Sequence, residues 1–432
     1  MSLASPSPID VANAQALQRI YAARPYLAAV RPARELLPQL RADTILHAGP
    51  PVAWETMCGP MQGAILGAVQ YEGWATDLPS AQALIESGRI RLQPCHSLSA
   101  VGPMTGVVTP SMPLMVVENR EHGNRAYCTL NEGLGKVLRF GANDASVLER
   151  LHWLQQTVAP ALQTALQRLG GIDLRVLMAQ ALSMGDEMHQ RNVAATALLG
   201  QVLLPHLART VPAPEPLGAI AEYLTGNAQC FLNVAMAAAK ATMDPAMHIP
   251  GCTVVTAMAR NGTEFGVRVS ALGERWFTAP AEMPRGLYFP GFSAADANPD
   301  MGDSAIVETL GLGAFAMVAS PAVAQFVGIG GLTEARRYTA EMLEITIGRS
   351  PYMLLPTLDG LGVPSGIDIR RVVETGLLPW INTGIAHRQA GIGQIGAGIV
   401  QAPLACFVQA LEAFAESWDN ARRGMDGSWV VY

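Results

Sequence analysis

The spacing of apolar residues changes along the chain and divides it into three stretches. "YLAAV", residues 26–30, reads as a short buried strand, "ARELLPQL" as a helical turn and "TILHAG", residues 44–49, as a second strand, with "QGAILGAVQYEGWA" following as a helix. That alternation, with a further strand in "PLMVVENR" at 113–120, predicts an α/β unit over residues 1–142. From Asn143 to about Met247 the period moves to 3.6. "ASVLERLHWLQQTVAPALQTALQRLGG" and "DLRVLMAQALSMGDEMHQRNVAATALLGQVLLPHLAR" end in glycine or a basic residue, which predicts a helical unit over 143–247. Beyond His248, "CTVVTAMARNGTEFGVRVSAL" gives two β-rich runs joined at Asn261-Gly262, a hairpin signal. Helices are predicted from Asp303 and strands around "LPWINTGIAH". The expected fold is therefore a multidomain α+β and α/β chain whose C-terminal α+β unit, residues 248–432, carries a β-hairpin.

Composition sharpens this picture. At 432 residues the length suits about three domains of about 150 residues each. Half of the residues are hydrophobic and only 15% are charged, against about 25% in ordinary globular chains. A deep core or broad subunit contacts account for so little charge, and a homo-oligomer is expected. A net charge of −6 argues against a nucleic-acid partner. Neither Leu310–Leu332 nor Gln389–Leu411 carries a charged residue, but glycines, glutamines and a proline interrupt both; buried helices are expected there and no membrane span. The first residues, "MSLASPSPIDVANAQ", lack the basic and apolar regions of a secretion signal. The six cysteines never fall within four residues of one another, which excludes CxxC-type zinc or redox pairs and fits reduced thiols in a cytoplasm. No structural metal and no nucleotide cofactor is expected. "GIGQIG", residues 391–396, matches GxGxxG, but too little chain follows it for a dinucleotide-binding half-domain.

Four stretches gather chemistry-bearing residues. In "SMGDEMHQRNVAAT", residues 183–196, helical spacing would put Asp186, His189, Asn192 and Thr196 on one stripe, either a solvated face or a ligand lining. "ARNGTEFGVR", residues 259–268, offers Arg260, Asn261, Thr263 and Arg268 beside one turn, an ordinary hairpin rim or a seat for a carboxylate or phosphate. "WINTGIAHRQAG" brings Asn382, Thr383 and His387 to a strand end. "DANPDMGDSAIVETLG", residues 296–311, begins like a calcium loop, but its sixth position is Met301 and its twelfth Val307, so calcium is rejected. Asp303-Ser304 reads as a helix N-cap there, with Asn298 and Asp300 on the rim of a helix-terminal anion site. Lys136 and Lys240 are the only lysines, which gives at least one of them a candidate role or leaves both as survivors of drift to arginine. Asp244 is the expected partner of Lys240 at i+4.

The stretches "MCGPMQGAILGA", "CHSLSAVGPMTGVVTPSMP", "LNEGLGKVLRFG", "GDEMHQRNVAAT", "FLNVAMAAAKATMD", "MARNGTEFGVRVS", "NPDMGDSAIVETLGLGAFA" and "INTGIAHRQAGIGQIGAG" together resemble the YlbE/YahG family, from about residue 45 to 411. The resemblance implies an FdrA-like protein partner that looks like succinyl-CoA synthetase. It also implies, for one branch, membership of an oxamate carbamoyltransferase that moves a carbamoyl group between oxalurate and phosphate in allantoin breakdown. Small anionic substrates, a ureido acid and phosphate, would then meet on this chain. It supplies no residue roles; the chemistry suggests them. Arg260, Arg268 and Lys136 would hold anions, with Asn192, Thr263 and Thr383 as further substrate contacts. Asn261, Asn298 and Asn382 would be oxyanion or carbonyl donors. His189 or His387 would serve as acid–base residue, and Asp300 and Asp303 would orient urea N–H groups. Two alternatives stay open: a noncatalytic scaffold for the FdrA-like subunit, and a ureido-acid hydrolase.

Overall fold

The computed structural model describes residues 6–328 and 330–426, and side chains as far as residue 420. The fold is a mixed α+β arrangement of several sheets. The first helix, Pro8–Ala22, starts where the rules of capping put it: Ser7 accepts the Asp10 N–H, with proline at the first helical turn. The strand Pro25–Pro32 then enters a five-stranded sheet between Pro113–Asn119 and Ile172–Asp173, with Arg125–Thr129 and Ala100–Val101 beyond. Thr44–His47 stands outside that sheet. It pairs in parallel with Arg91–Pro94, and the connection between the two carries the helices Gly59–Tyr71 and Leu78–Glu86, an α/β crossover.

The helical stretch contains Ala145–Trp153, Ala159–Leu169, Leu174–Ser183, Val193–Thr210, Pro214–Gly226 and Cys230–Met243. Residues 184–192 are not helical, contrary to the 3.6-residue spacing. Gly185 and Met188 both hold positive φ, at 94° and 62°, and end the helix. Every residue of Cys230–Met243 is buried, as expected of a helix apolar on all sides. Its polar side chains are matched: Asn233 bonds Asn131 and Thr129, and Lys240 Nζ lies 2.5 Å from Asp244 Oδ1 as the i+4 spacing predicts.

In the C-terminal third, Val255–Asn261 and Glu264–Val269 form the predicted hairpin, with Gly262 at φ 80° in its bend. Phe277–Pro280 and Met301–Gly302 flank it. Trp380–Ala386 and Gln394–Gln401 form a second antiparallel pair, and the GIGQIG run lies at their turn rather than in a βαβ unit. The two uncharged runs resolve differently from the buried helices expected. Residues 310–332 break into short helical pieces, Gly313–Ala319 and Pro321–Phe326, and residues 389–411 hold a strand and the start of the helix Leu404–Asp426. Among the described residues no helix is long and apolar enough to cross a membrane. The largest apolar cluster runs from Leu27 in the N-terminal sheet, through the helices, to Ile306–Ala319 and Val363. That core presses residues 303–319 against the loop 184–192.

Candidate functional site

The loop 184–192 is built around two acids. Glu187 accepts the N–H groups of Gln190 and Arg191 at 2.6 Å each and that of His189 at 3.3 Å, closing the loop onto its own carboxylate. Asp186 accepts the Ala195 N–H at 2.8 Å and pairs with Arg191 at 2.7 Å, which fixes the start of the next helix. His189 is thereby aimed across the core. Its Nδ1 lies 2.7 Å from Oε1 of Glu308, a residue with no exposed surface, on the short helix Ile306–Thr309.

Asn382, on Trp380–Ala386, completes the cluster. Its Nδ2 donates to Glu187 at 2.9 Å and its backbone N–H to Glu308 Oε1 at 3.2 Å. Ala314 N donates to the same oxygen. Burial raises the Glu187 carboxyl to about 6, against the pull of its donors and of His189. Three buried acceptors find no donor: Glu308 Oε2, Asn382 Oδ1 and Asn192 Oδ1. His189 Nε2 makes no hydrogen bond to a described residue. The cluster is thus an imidazole oriented by a carboxylate, beside a set of empty acceptors. Such an arrangement can move a proton at Nε2 and accept N–H groups from a bound amide.

The next residue of the strand, Thr383, faces the other way. It bonds Asp300 Oδ1 at 2.7 Å, and Asp300 holds Arg260 in a two-point pair at 2.6 and 3.0 Å. Arg260 also donates to the Gly302 carbonyl, Ser304 and Thr383. Its donors are engaged within the chain, and it has no exposed surface to offer an anion. Asn261 closes the hairpin turn by accepting from Thr263 N and Glu264 N and donating to the Pro50 carbonyl, while the Thr263 hydroxyl donates to the Thr56 carbonyl. Asn298 is buried beside Cys58 and donates to the Pro299 carbonyl.

Asp303 does not cap a helix. Its two oxygens accept the N–H groups of Gly49 at 2.8 Å and Gly102 at 3.0 Å, stitching distant loops to this segment. His387 accepts from Gln389 N and stands edge-on to Phe292, apart from His189. Lys136 is exposed, pairs with Asp144, and lines an open cleft of about 900 Å³ with Arg150, Trp153 and Tyr223. None of the buried cluster lines that cleft. Arg268 lies on the hairpin strand Glu264–Val269, away from the turn. Glu187 and Glu308 escaped the sequence reading. Their signal was an acid set in otherwise apolar surroundings, as in "SAIVETLGLGAFA".

The chain is thus a mixed α+β protein with a buried, carboxylate-oriented histidine. Its relatives are specific. Residues 90–304 match the profile of the family described as oxamate carbamoyltransferase subunit AllG. The chain is 54% identical to the oxamate carbamoyltransferase subunit AllG of Escherichia coli K12, over 94% of this chain and 97% of that one. It is 47% identical to the uncharacterized protein YahG of the same strain, over 95% of this chain and 87% of that one. A crystal structure of a conserved protein of unknown function from Enterococcus faecalis V583 superposes with a TM-score of 0.94 at 46% identity, covering 96% of this chain and all of that one. The chain belongs to the AllG family.

Proposed function

We propose that this chain is the substrate-handling subunit of a carbamoyltransferase that moves a carbamoyl group between a ureido acid such as oxalurate and phosphate. The observation that carries this reading is the 54% identity to an oxamate carbamoyltransferase subunit across nearly the whole of both chains. The cluster around His189 supplies chemistry suited to it. A carbamoyl NH₂ brings the donors that Glu308 Oε2 and Asn382 Oδ1 lack. A phosphate oxygen attacks the carbamoyl carbon, the C–N bond to oxamate breaks, and the departing nitrogen takes a proton from His189 Nε2. Glu308 holds the imidazole through Nδ1 while this occurs. An FdrA-like subunit is the expected partner, and turnover is assigned to the complex.

The test is phosphate-dependent cleavage of oxalurate, followed as carbamoyl phosphate, by the chain alone and with the FdrA-like subunit. Activity that appears with the partner and falls about 10²–10⁴-fold in His189→Gln supports the reading. Undiminished activity in His189→Gln supports the scaffold instead. Cleavage that needs no phosphate supports a hydrolase.

A further inference from the structure

The His189 cluster has acceptors without donors; a second buried cluster shows the reverse. Arg268 is 3% exposed, yet its guanidinium forms no ion pair and no hydrogen bond with any described residue, and its Nε is a buried donor without an acceptor. It lies 4.4 Å over the ring of Trp276, whose indole N–H is likewise buried and unmatched. His96 meets the same indole edge-on at 5.2 Å between ring centres. Nε2 of this buried histidine faces Asp303 Oδ1 at 3.5 Å, and its Nδ1 has no partner. Arg268 and His96 thus both pack on Trp276, and the Arg268 Nε–H and the indole N–H meet no acceptor, in a protein interior where buried polar groups are ordinarily paired.

The nearby carboxylates do not take the Arg268 and Trp276 donors. Asp303 is engaged by the Gly49 and Gly102 N–H groups, and Asp244 by Lys240 and the Ser99 hydroxyl. Glu274 attracts the guanidinium from an exposed turn without touching it. Lys240 adds a second positive charge close enough to act on His96. A guanidinium stacked on an indole whose own N–H is unmatched is a donor pair suited to a planar or tetrahedral oxyanion.

We propose that Arg268 and Trp276 form a binding site for a small oxyanion, a carboxylate or phosphate group, separate from the acceptors around Glu308. Nothing in this assignment requires the carbamoyl transfer reaction, so it stands or falls on binding alone.

The experiment is a calorimetric titration of the full chain, in a phosphate-free chloride buffer, with inorganic phosphate and separately with oxamate. Saturable binding of either at one site is expected. Phosphate alone identifies a phosphoryl subsite and oxamate alone a carboxylate subsite. Arg268→Gln removes charge-assisted bonds and weakens binding roughly 10–100-fold. Trp276→Phe keeps the ring, loses only the N–H, and weakens binding about 2–10-fold, so the idea remains testable where Arg268→Gln does not fold. Arg285→Gln, exposed on an outer strand, leaves binding unchanged. If neither anion binds the folded chain, or if binding persists at full strength in Trp276→Phe and Arg268→Gln, the assignment is overturned.

Discussion

Asp300→Ala separates a structural role for Arg260 from a ligand-binding one. Both side chains are buried, at 0% and 2% exposure. The substitution deletes the acceptors of Arg260 Nε at 2.6 Å and Nη2 at 3.0 Å, and also those of the Thr383 hydroxyl and the Met301 N–H. What remains is a guanidinium held only by the Gly302 carbonyl and two hydroxyls, with no counterion. Breaking a buried pair from one side costs about 3–5 kcal/mol. Against a typical total stability of about 5–15 kcal/mol, that is a large share. Replacing both partners, as in Arg260→Met with Asp300→Leu, removes the charge along with its counterion, and about neutral to mildly destabilising is expected. Urea unfolding of wild type, Arg260→Met, Asp300→Leu and the double variant closes a double-mutant cycle that measures the coupling. A loss under about 1 kcal/mol for Asp300→Ala refutes the argument. So does an Arg260→Met variant that keeps its stability but loses affinity for oxalurate or phosphate, since Arg260 would then be serving ligand rather than fold.

Glu187 gives a pH signature: burial raises its carboxyl from the ordinary 4.5 to about 6, so folding takes up a proton between those limits. The folded state holds the proton more tightly, so stability from this group is greatest below about pH 4.5 and falls by about 2 kcal/mol as pH rises through 6; melting curves of wild type and Glu187→Gln across that window check it, and identical slopes contradict it. Gly313 has φ 59°, and a Cβ there would sit 2.1 Å from Glu308 Oε1. Gly313→Ala should cost about 1–2 kcal/mol for the left-handed backbone and push Glu308 off His189, seen as a changed Nδ1 proton resonance; an unchanged resonance counts against the geometry. Burial raises the Cys58 thiol to about 11. At pH 8 roughly one thiol in a thousand is ionised, so a disulfide reagent should label it slowly in the native chain and fast in urea, and rapid native labelling contradicts this.

What could be read from the sequence was what depends on neighbours in sequence. The Asn261-Gly262 hairpin was legible because the turn needs a positive φ and Asn261 caps its own bend. The Lys240–Asp244 pair was legible because i+4 spacing alone brings the two together. Residues 184–192 were misread because their polar positions continue a helical period; only the backbone reveals that Gly185 and Met188 turn left-handed and that Glu187 gathers the freed N–H groups. Asp303 looked like a cap because capping is a local rule, whereas its true donors, Gly49 and Gly102, are 254 and 201 residues away. Arg260 and Asp300 were both among the candidates, but no spacing rule says that they neutralise each other across 40 residues.

The segment from Asp300 to Glu308 is where these long-range bonds converge. Asp300 holds Arg260 and Thr383, Asp303 holds the Gly49 and Gly102 loops and stands beside His96, and Glu308 orients His189. The donor-rich cluster and the acceptor-rich one are therefore tied to a single stretch of nine residues, with both ends buried. A shift of that stretch would move Asp303 against His96 and Glu308 against His189 together, because packed interiors transmit displacement instead of absorbing it. On this reasoning occupancy of the Arg268 site by an oxyanion should alter the His189 ring environment without any contact between ligand and His189. Imidazole resonances recorded with and without phosphate, in wild type and Arg268→Gln, decide the point. A His189 signal that shifts in wild type and not in Arg268→Gln establishes the coupling, and one that ignores phosphate while binding is saturated shows the two sites to be independent.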